Sequence, residues 1–259
     1  MAQKFVWDDA LLLDDQLSEE ERQIRDSIAS FAQAELMPRI LKWNREETFD
    51  PDIMKEFGSL GILGATIPDY GCAGIGRVAY GLACRELERV DTAFRSAVGV
   101  QTGLAMSAIY DFGSAEQKNR FLPGMREGSL IGCFGLTEPD HGSNPGSMKT
   151  SIKDMGDYFL LNGSKMWISN SPFADIAIVW AKNEEERIKG LIVERGMPGF
   201  TTPETHNKWS LRASATGELV FNNVKVPKEN ILPNKDGLGA PLGCLDSARY
   251  GIAWGAIGA

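Results

Sequence analysis

The sequence is poor in the residues that build metal and redox centres. Its four cysteines, Cys72, Cys84, Cys133 and Cys244, form no C-x-x-C pair, and its two histidines, His141 and His206, stand apart. Zinc-ligand and redox-dithiol patterns are therefore missing, and free buried thiols are the expectation. Basic blocks are missing too. With a net charge of −8 and no run of Lys and Arg, neither nucleic acid nor an acidic membrane surface is expected as the main partner. A local basic patch for an anionic ligand stays open. No run of about 18 apolar residues occurs, so no membrane span is expected. The N-terminal stretch MAQKFVWDDALLLDDQ is acidic. It has neither the basic start and long apolar run of a signal peptide nor the Arg-rich character of a transit peptide. That suits a cytoplasmic bacterial protein, or a mitochondrial matrix protein already processed. The glycine-rich stretch 70–76 contains no G-x-G-x-x-G set between a strand and a helix, and it reads as a loop.

What is present is the material of a folded core. Hydrophobic residues make up 43% and charged residues 24%, the balance of a soluble globular protein. A length of 259 residues accommodates one large domain or two smaller ones. Ser18-Glu19-Glu20-Glu21 has the form of a capping box, with Ser at the N-cap and Glu three residues on. Behind it Ile24, Ile28, Phe31, Ala32 and Leu36 recur at helical spacing until Pro38 ends or kinks the helix. Asp50-Pro51 places an N-cap residue before a proline suited to the first helical position. The spacing predicts helices over 77–90 and 96–109, and Ser114-Ala115-Glu116-Gln117 caps a short helix that ends at Pro123. Residues 18–123 thus read as a bundle of about five helices with no strand.

The texture changes near residue 130. Short apolar runs at 131–136, 158–163, 165–169, 174–180 and 190–194 read as strands, with a turn at Asn162-Gly163. Leu219-Val220-Phe221, Asn222-Asn223 and Val224-Lys225-Val226 read as a hairpin. No helix separates these strands, so a doubly wound sheet is not implied. From Leu238 the pattern is helical again, with Leu242, Leu245, Arg249, Ile252 and Ala256 on one face and Tyr250, Trp254 and Ile257 on another. A helix apolar on so many sides is suited to burial among other helices. It meets the end of the chain without a cap or a polar face, which reads as truncation. The expected architecture is multidomain α and β. Residues 1–127 form an all-α domain, 128–237 an antiparallel β-barrel or sandwich, and 238–259 the first helix of a truncated C-terminal α domain.

Two stretches could carry chemistry. Phe134-Gly135-Leu136-Thr137-Glu138-Pro139-Asp140-His141-Gly142-Ser143 is an apolar run that breaks into a turn. Its backbone N–H groups, with Thr137 and Ser143, could bond an anion or the edge of a heteroaromatic ring. Further on, Trp167-Ile168-Ser169 puts a flat indole two residues from a hydroxyl, on one face if the segment is a strand. The same residues would also serve as a hairpin with a packed Trp and a polar turn.

The runs GCFGLTEPDHGSN, KMWISNSPFAD, KWSLRASATGEL and GCLDSARYGIAWG, in this order and spacing, resemble the acyl-CoA dehydrogenases, and within them most of all the glutaryl-CoA branch. The resemblance runs over nearly the whole chain. It implies an FAD flavoprotein that oxidises an acyl-CoA thioester to its 2,3-enoyl product, in the glutaryl branch with decarboxylation to crotonyl-CoA. It implies a homotetramer that passes electrons to an electron-transfer flavoprotein. Phe134 to Ser143 would then contact the flavin, with Leu136 and Thr137 at its pyrimidine edge and Ser143 near the pyrophosphate or the substrate. Trp167 would cover the ring and Ser169, where many relatives carry Thr, would face its central nitrogen. Arg95, next to Ser96, would bind the distal carboxylate of glutaryl-CoA bidentately, with Glu88 as orienting partner. The branch often has a hydroxyl where Gly99 stands, so one contact to that carboxylate is missing. Leu242-Gly243-Cys244-Leu245-Asp246-Ser247-Ala248-Arg249 would line the acyl-CoA path, with Arg249 as its buried cation. No catalytic base is found. Most of the family has a Glu further downstream, some branches use the residue before this Arg, and Ala248 cannot take a proton. The chain alone is therefore expected to be inactive and to hold FAD weakly or not at all. A general short-chain enzyme and a non-catalytic acyl-CoA- or flavin-binding paralogue are the alternatives.

Overall fold

The computed structural model describes Phe5 and residues 7–259; residues 1–4 and 6, at the start of the expected first domain, lie outside the described residues. Helix α1 (Glu19–Phe31) begins at Ser18, whose side chain accepts from the Glu21 N–H while the Glu21 carboxylate accepts from the Ser18 N–H. This is the capping box read from the sequence. The helix passes through a π-helical turn (Ala32–Leu36) into α2 (Met37–Glu46), with Pro38 in its first turn. The missing Pro38 N–H thus falls where one helix hands over to the next, and a kink replaces a break. Helix α3 (Ile53–Ser59) starts after Asp50-Pro51 rather than on it, because Asp50 Oδ1 accepts from the Asp52 N–H and closes a turn ahead of the helix.

Helix α4 (Arg77–Glu88) is followed by α5 (Thr92–Gly99), a second π-helical turn (Val100–Met106) and α6 (Ser107–Phe112). Helix α5 starts earlier than residue 96 because Asp91 caps it, accepting from the Ala93 N–H at 2.8 Å. Helix α7 (Ala115–Glu127) carries Pro123 inside it and stops at Gly128, at φ +70°. The expected end at Pro123 is overridden by packing. Phe121, Leu122 and Met125 are buried on both sides of the proline, which offsets one lost backbone bond.

Seven strands follow: β1 (Gly132–Gly135), β2 (Ser151–Asp154), β3 (Tyr158–Ser169), β4 (Ile176–Lys182), β5 (Ile188–Glu194), β6 (Phe200–Thr201) and β7 (Thr216–Pro227). They form one sheet in the order β1-β4-β2-β3-β7-β6, with β5 on the other side of β4. The expectation of an antiparallel domain needs correction. β1 and β2 both run parallel to β4, and the remaining pairs are antiparallel. The connection from β1 to β4 runs through β2 and β3 and is long enough for a parallel crossover. The Asn222-Asn223 hairpin is also corrected, because β7 runs straight through it. Asn223 alone has positive φ (+53°), whereas a tight hairpin turn of type I′ needs two such residues. The pair instead forms an irregularity opposite Asn162, whose Oδ1 accepts from the Asn223 N–H.

Helices and sheet share a core. Met106, Ile109, Phe112 and Phe121 pack with Phe134, Ile176, Ile178, Trp180 and Ile192, and with Ala240 and Cys244 of the last helix, α8 (Gly239–Gly258). Helix α8 lies against α4 and the second π turn. At the joint sits Gln101, fully buried. Its Nε2 donates to the carbonyls of Met125 and Leu130, and its Oε1 accepts from the Gly132 N–H at 2.7 Å. One side chain thus fixes the end of α7, the linker and the start of β1 to the π turn.

Gln101→Leu would leave the Leu130 carbonyl and the Gly132 N–H without this partner, while the Met125 carbonyl keeps the Gly128 N–H. A stability loss of about 3 kcal/mol is expected, to be read by urea unfolding followed by circular dichroism.

Candidate active site

The joint opens on one side into a cleft of about 320 Å³. The second π turn supplies Val100 and Leu104; β1 and the turn after it supply Phe134, Leu136, Thr137, Gly142, Ser143 and Pro145. The end of β3 supplies Trp167, Ile168 and Ser169, and α8 supplies Leu242, Leu245 and Arg249. The two candidate stretches and the last helix, distant in sequence, therefore meet at one place.

Each element presents its residues for a local reason. On α8, Leu242, Leu245 and Arg249 stand three and four residues apart, on one helical face. On β3 the alternation breaks between Lys165 and Ile168, where the register against β7 shifts. Lys165 and Ile168 both point inward, Trp167 adopts φ +61°, and its indole is 56% exposed beside the cleft. Asn170, at φ +67°, ends the strand and donates to the Ala97 carbonyl on α5, which sets Ser169 against the helical domain.

The remaining candidates sit around the cleft rather than in it. Pro139 and Asp140 are exposed at the tip of a turn closed by reciprocal backbone bonds between Glu138 and His141. Gly135 lies inside β1, where a Cβ would come within 2.7 Å of Leu219 Cδ1 and 3.1 Å of Lys165 Cγ. Cys244 is buried in the shared core, Gly243 and Ser247 are exposed, and Ala248 packs against Gly103. Arg249 is not the buried cation expected. Its side chain is 63% exposed and paired with Asp246, because no described element covers that side of α8. Arg95 and half-buried Ser96 lie outside the lining. Arg95 Nε is 2.5 Å from Glu88 Oε2, both side chains nearly buried, so the expected orienting pair is formed. The guanidinium extends along α5 toward Gly99, next to Val100 of the cleft wall.

Sequence reasoning missed Lys165, Val100, Leu104 and Pro145. Lys165 was findable. It shares strand parity with Leu161, and a lysine on the inward face of a strand demands a partner. The partner is Glu138, which is 5% exposed and also accepts from the Lys149 and Thr150 N–H groups. Burial works against the ionised carboxyl, but these donors outweigh it and hold its pKa down at about 2. Burial lowers Lys165 to about 8 against the pull of Glu138, so both are charged at neutral pH.

In chemical terms the cleft offers the hydroxyls of Thr137, Ser143 and Ser169, backbone donors of the 136–143 turn, one exposed indole and an apolar far wall. Among the described residues, none that lines it is an acid. This donor set suits a flat heteroaromatic ring with a polar edge, and beside it an apolar chain.

Comparison with known proteins agrees. The family described as acyl-CoA dehydrogenase, N-terminal domain, matches residues 18–129, and acyl-CoA dehydrogenase, middle domain, matches residues 133–224. A glutaryl-CoA dehydrogenase from Mycobacterium smegmatis, solved in complex with FADH2, is 49% identical with a TM-score of 0.93, over 95% of this chain and 63% of that one. The mitochondrial isovaleryl-CoA dehydrogenase of Pongo abelii is 36% identical over 93% of this chain and 60% of its own length. The mitochondrial short-chain specific acyl-CoA dehydrogenase of Mus musculus is 34% identical over 94% and 60%. The chain thus spans somewhat under two thirds of the length of these relatives.

The depressed Glu138 pKa has a definite sign. Its stabilising effect is complete above about pH 4.5, the ordinary value, and is lost as pH falls toward about 2. The gap in urea midpoint between wild type and Glu138→Gln is therefore expected to be wide at pH 6 and clearly narrower at pH 3.

Proposed function

The chain belongs to the acyl-CoA dehydrogenase family, and from that premise we propose that it forms the flavin- and acyl-CoA-contacting part of an FAD-dependent dehydrogenase that prefers glutaryl-CoA. The observation that carries the reading is the convergence of Thr137, Ser143, Trp167 and Ser169 with the apolar face of α8 at one cleft. FAD fits this donor set. Leu136 and Thr137 would hold the polar ring edge, Trp167 would cover the ring and Ser169 would meet its centre. When bound, FAD supplies a two-electron acceptor for a hydride leaving carbon. The chain's own residues would orient the thioester along Leu242 and Leu245, exclude water with the indole, and keep the acyl chain against Val100 and Leu104. A carboxylate base must take the α-proton, and among the described residues none lines the cleft. We therefore infer that these 259 residues alone do not catalyse dehydrogenation.

Preference for glutaryl-CoA rests on Arg95. Glu88 fixes its Nε, and the rest of the fork remains for a distal carboxylate, a geometry that a monocarboxylic acyl chain does not need. The 49% identity to the Mycobacterium smegmatis glutaryl-CoA dehydrogenase supports this reading. By family reasoning, an electron-transfer flavoprotein takes the electrons and the working assembly is a homotetramer.

Isothermal titration of the chain tests the preference. Glutaryl-CoA is expected to bind about tenfold more tightly than butyryl-CoA, and Arg95→Ala to erase that difference without weakening butyryl-CoA. Equal affinities for the two thioesters in the wild type would favour the short-chain reading. Measurable dye reduction by the chain with FAD and either thioester would overturn the inferred inactivity.

A further inference from the structure

We propose that Lys165, which does not touch the cleft, is the positioning residue that aims the cofactor-facing turn. Its ammonium holds the Leu136 carbonyl from inside the sheet and thereby points the Thr137 N–H into the cleft. The proposal rests on the flavin reading above only for what that N–H meets.

Lys165 is completely buried. Its Nζ donates to the Leu136 carbonyl at 3.1 Å and to Glu138 Oε1 at 2.9 Å, and lies 3.9 Å from Met148 Sδ. All three N–H directions are thus used within the turn and its closing loop. Stability alone does not account for a lysine here. A buried ion pair is commonly no more stabilising than apolar residues of the same volume, so the charge calls for another role.

The geometry supplies that role. The peptide bond is planar and, throughout the described residues, trans. Within the Leu136–Thr137 unit the carbonyl and the N–H therefore point in opposite directions. With the carbonyl tied to Lys165 beneath, the N–H faces the side on which Leu136 and Thr137 line the cleft. The next carbonyl, that of Thr137, is held from the same strand by the Met166 N–H at 2.9 Å. Two successive peptide planes are thus set from β3. A cation on a carbonyl also polarises the whole amide and makes its N–H a stronger donor. A ring edge that gains negative charge on reduction would be held more firmly by such a donor.

Gly135 belongs to the same device. Its φ is not positive, so backbone freedom does not explain it. A Cβ there would meet Leu219 Cδ1 first and the Lys165 stem next, and its absence leaves room for both side chains under β1.

The rival role for Lys165 is to neutralise Glu138 and nothing more. Lys165→Met combined with Glu138→Gln separates the two, because it removes both buried charges and still leaves the Leu136 carbonyl without its donor. The full chain is compared by amide hydrogen exchange over 136–143 and over β4 and β5, by urea midpoint, and by titration with FAD followed by flavin fluorescence. The double variant is expected to keep exchange in β4 and β5 as in wild type. Exchange over 136–143 is expected to rise at least tenfold, and FAD affinity to drop at least tenfold. Gly135→Ala keeps both charges and crowds the Lys165 stem, and Leu219→Ala beside it removes the other clash, so the pair is expected to raise exchange in the same segment at least threefold should the Lys165→Met/Glu138→Gln variant not fold. Wild-type exchange over 136–143 in whichever of the two variants folds would overturn the proposal. A wild-type chain that holds FAD too weakly to titrate leaves the contrast in exchange over 136–143 intact, so the aiming role and the flavin reading are judged separately.

Discussion

A helical bundle and a sheet that share one apolar core must still satisfy the backbone groups trapped where they join. Gln101 meets that requirement with a single amide that bonds three chain segments. It does so from a π-helical turn, in which the side chains are rotated relative to a regular helix. The same turn sends Gln101 inward to the joint and Val100 and Leu104 outward to the cleft. The position of the cleft wall relative to β1 is therefore a by-product of a hydrogen-bonding obligation at the core.

The cleft combines three kinds of surface, each delivered by a different element. The turn after β1 brings directed donors, the bulge in β3 brings a flat indole and a hydroxyl, and α8 brings an apolar rail. Apart from Arg249 on α8, charge is kept behind these surfaces. Lys165 and Glu138 lie beneath the turn, and Arg95 and Glu88 lie beside the π turn. Each cation is fixed by a carboxylate within the fold, which keeps buried charge paired. Among the described residues, no acid lines the cleft itself.

Much of this was legible in the sequence because it is written locally. Ser18 and Ser114 announce helix starts through their own side chains, and both capping boxes form. The 134–143 run and its Trp-Ile-Ser partner do meet at one cleft, and the apolar faces of residues 238–259 mark a helix that packs. What was not legible depends on distant partners. Pro123 looks like a stop until Phe121, Leu122 and Met125 are seen buried around it. Asn222-Asn223 looks like a turn until it is paired with Asn162 across the sheet. The parallel pairing of β1 with β4 leaves no trace in either strand's alternation. Arg249 as a buried cation was carried over from the resemblance, and its exposure is decided by what covers that helix from outside.

The glycines where α8 meets α4 and the second π turn carry a mechanical implication. Gly81 receives the Trp254 indole, Gly255 lies over the Glu88–Arg95 pair, and Gly103 receives Ala248 at van der Waals distance. Helix α8 is seated along its length, at Ala240 and Cys244 in the shared core and at Gly251 and Gly255 on α4 and the Glu88–Arg95 pair. The leucines of the cleft wall therefore stand on a helix whose depth is set by bare backbone on its other side. A methyl group at Gly255 would meet Glu88 Oε2 at 2.7 Å, so the missing side chain acts as a spacer of no thickness between the cleft wall and a buried ion pair.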